Sequence, residues 1–171
     1  MREDVRCRLD VSHSHRLLDV TFVVSGPVPF PAPRMAVGPG YPLDTVLDNA
    51  RFAMGDPAHV PAGIYAKEAL QNWELWDEVK DRLAPARDAT GALMLVARGE
   101  AKLGVVYTSD LKRTDRVQVF APIPERLHTP IVYPMTIVKG KARPSVLKVM
   151  EYLTSPEGQA AFRAAGFGTV D

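Results

Sequence analysis

The sequence is poor in cysteine, in long apolar runs and in catalytic signatures, and each shortage excludes something. Cys7 is the single cysteine in 171 residues, which rules out an intrachain disulfide framework and a zinc site built on cysteine. No apolar run approaches the roughly 18 residues that a membrane-spanning helix needs. Basic and acidic residues nearly balance, 21 against 20, and no segment concentrates Lys and Arg. There is thus no electrostatic ground for binding nucleic acid or an anionic membrane. No phosphate-binding loop, GxGxxG, HExxH or GxSxG occurs. Ser109 and Asp110 are adjacent, but no histidine is placed to complete a triad, and Cys7 lies in a polar tail. Catalysis is not expected. The opening "MREDVRCRLDVSHSHRL" has no apolar stretch of the kind a secretory signal carries.

What is present is ordinary globular material, 46% hydrophobic and 24% charged, enough for one sizeable domain or two small lobes. The 15 prolines fall mostly between apolar segments, where they act as turn and helix-start residues. Residues 1–16 are polar and without period. "LLDVTFVV" from Leu17 to Val24 reads as a buried strand, followed by the Pro-rich loop "SGPVPFPAPR". A brief strand in "RMAVGPG", a short helix from Leu43 to Leu47 and a strand "RFAMG" come next. A second helix over "ELWDEVKDRL", an extended "LAPARD", a helix from Thr90 to Arg98 and a strand from Leu103 to Tyr107 follow. Strands are also expected at "RVQVFAPI" and "IVYPMTIVKG". Val146, Val149, Met150 and Leu153 share one face of a late helix. The last helix has Ser155 as N-cap, Pro156 in its first position and Gly166 at its end. Strands alternating with helices predict an α/β fold with a largely parallel sheet.

One helix start is unusual. In "GDPAHVPAGIYAKEAL", Ala62, Tyr65, Ala66, Ala69, Leu70 and Trp73 form an amphipathic stripe, and Pro61 suits the first helical position. Val60 is then the cap, with Ala62 and Gly63 in the first turn, and none of these side chains can accept the orphan N–H groups. Small residues, free donors and the positive end of the macrodipole together describe an anion site; capping by water is the alternative. "RDATGALMLV" repeats the theme with Thr90 and Gly91 in an opening turn, although Asp88 is itself a good cap. Tyr107 closes a strand, where core packing with the hydroxyl at the surface is the commoner role; it also lies at the end where α/β folds bind ligands and can offer one O–H donor. His59 reads as a structural histidine. His13 and His15 are too few for a firm metal site. Asp56, Glu68 and Asp110 read as turn or surface carboxylates.

"RFAMGDPAHVPAGIYAKEAL", "LAPARDATGALMLVARGEAKLGVVYTSDL" and "VYPMTIV" closely resemble the periplasmic molybdate-binding proteins of ABC transporters, over the chain from about His15 onward. The resemblance implies a type II periplasmic-binding-protein fold with one complete Rossmann-like lobe and the C-terminal part of the other. It implies a tetrahedral oxyanion ligand, molybdate or tungstate, with no cofactor and no cation ligand. By motif, the ligand-binding alanine of "VPAG" falls on Ala62, with Gly63 beside it. The position two before "GAL" falls on Ala89, and the tyrosine of "VYxSD" on Tyr107. An ABC permease is the implied partner and the periplasm the implied compartment.

The same resemblance implies a domain plan. Residues 1–16 would be an atypical tail, 17–25 a crossing strand between lobes and 26–131 the second lobe. Residues 132–171 would be the return strand and closing helices of the first lobe. Family members carry about 60 to 90 further residues before "RLLDVTFVV", including two serine donors, in line with a two-domain chain. Without them, binding is expected to weaken by roughly 4–6 kcal/mol, or about 10³- to 10⁴-fold. Val146, Val149, Met150, Leu153 and Phe162 would be left exposed, a face suited to homodimerisation. Two other expectations stay open: a cytoplasmic effector-sensing domain of the same fold, and a self-associating fragment with no ligand.

Overall fold

The structure, a computed structural model, describes residues 20–25, 37–133 and 135–168. The expected tail (1–16), most of the Pro-rich loop and Arg34 to Ala36 of the brief strand lie outside the described residues. The described residues fall into two compact units, one within Leu18–Thr129 and one within Pro130–Asp171.

The first unit is built on a five-stranded sheet. In chain order its elements are β1 (Val20–Ser25), α1 (Leu43–Leu47), β2 (Phe52–Gly55), α2 (Pro61–Asn72), α3 (Trp76–Val79), β3 (Leu83–Ala86), α4 (Ala89–Ala97), β4 (Leu103–Tyr107) and β5 (Val117–Pro122). The strand order is β3-β2-β4-β1-β5. β2 runs parallel to both β3 and β4, whereas β1 is antiparallel to both β4 and β5. The sheet is therefore mixed, and the expected largely parallel arrangement holds only on the β3-β2-β4 side. An apolar run such as β1 is compatible with either direction, because burial on both faces erases the alternation that would distinguish them. The hydroxyl of the buried Thr21 donates to the Ala121 carbonyl at 3.1 Å.

Helices cover both faces. Successive strand residues point to opposite sides, so Val23 and Ala53 face one way and Phe22 and Phe52 the other. Ala92, Leu93 and Val96 of α4 pack with Val23, Ala53, Ala84 and Val106. On the other face Phe22 meets Phe52 edge-on at 6.0 Å between centroids and stacks with Trp73, just beyond α2, at 5.9 Å. The expected single helix over "ELWDEVKDRL" is broken: Glu74 takes a left-handed φ of 58°, α3 starts at Trp76, and Lys80–Arg82 tightens into a 3-10 turn.

The second unit holds α5 (Pro144–Thr154) and α6 (Pro156–Ala164). Ser155 caps α6 through its hydroxyl, which accepts the Gly158 N–H at 3.2 Å, and Gly166 ends it at φ +86°. The strand expected over "IVYPMTIVKG" is absent among the described residues. Its β-branched content suits a strand, but the segment has Pro130 before it and Pro134 within it, and proline gives no N–H to a ladder. No residue of α5 is buried. Val149 is exposed, as expected, together with Leu147 and Tyr152, while Val146, Met150, Leu153 and Phe162 are half-buried.

Candidate oxyanion-binding site

Three neighbouring parallel strands bring their carboxyl ends to one edge of the sheet, and each delivers a residue singled out above. β2 ends at Gly55 and leads to α2, β3 ends at Ala86 and leads to α4, and β4 ends at Tyr107. The result is one small cluster, in which Val60, Ala62 and Ala89 are buried together and the half-buried Tyr107 packs against them. Ala62, Ala89 and Tyr107, separated widely in sequence, are neighbours in space. Gly63 is buried one residue further along α2.

Besides the Tyr107 hydroxyl, the donors at this edge are main-chain groups. Val60 caps α2 in extended conformation and makes no side-chain capping bond. The first helical bond runs from Ile64 N–H to the Val60 carbonyl at 2.9 Å. Among the described residues, no protein acceptor takes the N–H of Ala62 or Gly63. No acidic residue lies in the first turn of α2 to offset its macrodipole. At α4 the capping reading holds. Asp88 is indeed the cap, its Oδ1 accepting the Gly91 N–H at 2.6 Å, and its carbonyl accepts the Ala92 N–H at 3.2 Å. That leaves the Ala89 and Thr90 N–H groups without a protein acceptor among the described residues.

The two helix starts reach this edge because the backbone approaches itself closely. A Cβ on Gly63 would collide with the Gly55 carbonyl and lie 2.7 Å from the Asp56 oxygen, so α2 seats directly on the end of β2. A Cβ on Gly55 would lie 2.7 Å from Val60 Cγ1. Neither glycine has positive φ; what is required of both is absence of a side chain.

Other candidates are placed elsewhere or differently. The largely exposed His59 ring is 3.7 Å from the Asp56 carboxylate. Glu68 accepts the Thr129 hydroxyl at 3.0 Å. Of the turn and surface readings of Asp110 only the turn holds: it lies in a 3-10 turn, is 6% exposed, and its Oδ1 accepts from Arg113 Nε at 3.0 Å. The i,i+3 spacing of that pair was the available signal. Cys7, His13 and His15 lie outside the described residues. The contribution of Gly55 and Asp56 was missed, because a Gly-Asp-Pro turn carries no mark of what it holds.

Residues 31–168 match the bacterial extracellular solute-binding protein family. The chain belongs to that family. Within it, 142 residues are 43% identical to the molybdate-binding protein ModA of Escherichia coli (strain K12), over 80% of this chain and 55% of that protein. ModA of Haemophilus influenzae is 46% identical over 71% of this chain and 48% of its own length. The chain thus spans about half the length of these relatives. Among solved structures, the substrate-binding domain of a candidate molybdenum ABC transporter from Clostridium difficile superposes with a TM-score of 0.72 at 31% identity. It covers 91% of this chain and 65% of that one. The sulfate-binding protein SubI of Mycobacterium tuberculosis shares the fold, with a TM-score of 0.64 at 14% identity over 95% of this chain and 60% of its own. The fold is that of the type II periplasmic-binding proteins.

Proposed function

We propose that this chain carries part of the ligand site of an ABC-transporter solute-binding protein for molybdate or tungstate. The main-chain N–H groups of Ala62 and Ala89 and the Tyr107 hydroxyl donate to the oxyanion, with the Gly63 N–H beside them. On this reading residues 26–131 form the second ligand-binding lobe and 132–171 belong to the first. The protein works in the periplasm and passes its anion to a permease. The observation that carries the proposal is the meeting of Ala62, Ala89 and Tyr107 where three strands end. The names of the relatives, which are molybdate-binding proteins, support the choice of anion.

The chemistry favours that choice. A dianion that stays unprotonated at neutral pH can be held by neutral donors and helix dipoles alone. Phosphate retains protons near neutrality and needs an acceptor that a donor-only shell does not supply. Sulfate is the smaller anion and fills the same shell less well.

Isothermal titration of the 171-residue chain tests this reading. Heat is expected with molybdate and tungstate, less with sulfate and none with phosphate. Tyr107→Phe should weaken molybdate binding about 10- to 100-fold, since a hydrogen bond to a charged group is worth about 1.5–3 kcal/mol. Absence of molybdate heat at millimolar anion, or equal binding of phosphate, would overturn it.

A further inference from the structure

The turn that leads into α2 is organised by a residue the proposed site does not itself use. Five residues, Asp56 to Val60, separate the end of β2 from Pro61. Asp56 bonds in four directions. Its N–H donates to the Ala86 carbonyl at 2.8 Å, and its carbonyl accepts from the N–H groups of Val60 at 2.9 Å and His59 at 3.3 Å. Its carboxylate Oδ1 accepts the Ala58 N–H at 2.9 Å. Val60 caps α2 and packs against Ala62 and Ala89. Ala86 is the last residue of β3 and stands two positions before the cap of α4. One residue therefore ties together the two loops from which the site's helices start.

We infer that Asp56 is a positioning residue that holds the N–H groups of Ala62 and Ala89 in register with each other; the inference rests on the oxyanion reading above. Its backbone bonds join the two loops, and its side chain keeps that backbone in place. The carboxylate closes a local turn on Ala58, a bond that Asx residues make two positions ahead. Without it the Ala58 N–H has no other acceptor among the described residues, and the turn relaxes. The relaxation reaches Val60 through the Asp56 carbonyl and Ala86 through its N–H. A site built from rigid backbone donors loses strength when they drift by fractions of an ångström, because hydrogen bonds are directional. The side chain is about one-third exposed, at 34%, so its charge is screened by water and its role is that of an acceptor. Asparagine preserves that acceptor; alanine does not.

The test uses the full chain, with molybdate titration and amide NMR on wild type, Asp56→Ala and Asp56→Asn. Asp56→Ala should weaken molybdate binding about five- to tenfold, the effect of misplacing one hydrogen bond. It should also shift the amide resonances of Ala62, Gly63, Ala89 and Thr90 together. Asp56→Asn should restore both the affinity and the spectrum, which general destabilisation would not predict. Unmoved α4 amides in Asp56→Ala, or an Asn variant as weak as the alanine one, would overturn the inference. If wild type binds no molybdate while the amides of both helices move as stated, the positioning role stands and the oxyanion reading alone falls.

Discussion

Gly63→Ala is expected to destabilise the chain by about 3 kcal/mol and to reduce oxyanion binding below detection. Two effects of opposite sign compete. Helix propensity favours alanine over glycine by about 1 kcal/mol at an interior position. Against that, the new methyl group would collide with the Gly55 carbonyl and come within 2.7 Å of the Asp56 oxygen. Both obstacles are backbone, which has no rotamer to escape into, so overpacking takes the upper end of its usual range of about 1–3 kcal/mol or exceeds it. Relief requires α2 to lift from the end of β2, and the Ala62 donor leaves with it. Gly91→Ala is the control. It occupies the corresponding first turn of α4, but its Cβ would meet only side-chain atoms, Ala86 Cβ and Asp88 Oδ1, each at 3.3 Å. That variant should stay within about 1 kcal/mol of wild type, since propensity offsets the mild crowding. Urea unfolding of both variants checks the prediction. A Gly63→Ala protein as stable as wild type would mean that the helix start does not rest on the strand end.

These glycines show which parts of the molecule were legible. The first turn of α2 could be read from Pro61, the apolar stripe and the missing cap, since each is a local property of the sequence. The direction of β1 could not. A strand buried on both faces presents the same apolar run whichever way it points, and its direction follows from pairing with β4 and β5. The segment from Ile131 to Val138 failed for a related reason. Its composition suits a strand, but a strand exists only through its partner, and Pro130 and Pro134 limit the bonds available. The candidate site was half legible. Apart from the Tyr107 hydroxyl its proposed donors are main-chain groups, so for the rest only the small size of Ala62, Gly63 and Ala89 reaches the sequence. Asp56 was invisible as a positioning residue because an aspartate in a turn looks alike whether it closes one loop or joins two.

Phe22→Ala is expected to be the most damaging single change in the sheet, costing about 3–5 kcal/mol. Phe22 has no exposed surface and lies on β1, which is bonded on both sides. Its ring has defined neighbours, Phe52 edge-on at 6.0 Å and Trp73 stacked at 5.9 Å. Deleting it leaves a cavity between a strand and the end of a helix, and neither can close inward without breaking its own hydrogen bonds. Against a total stability of about 5–15 kcal/mol for a domain, that loss is a large fraction. The melting temperature should fall by on the order of 15 °C. Phe22→Leu, which keeps most of the apolar volume, should lose less than half as much. Phe22 lies two residues below the strand end, paired with Val105 where Val20 pairs with Tyr107, and its partner Trp73 follows the C-terminal end of α2 whereas Ala62 opens it. Folded Phe22→Ala protein at low temperature should therefore bind molybdate within about threefold of wild type, a difference below 1 kcal/mol. Calorimetry, with a molybdate titration at 10 °C, reads both quantities. Loss of affinity parallel to the loss of stability would show that the two ends of α2 are not independent, and that the site depends on the whole core rather than on the strand ends beneath it.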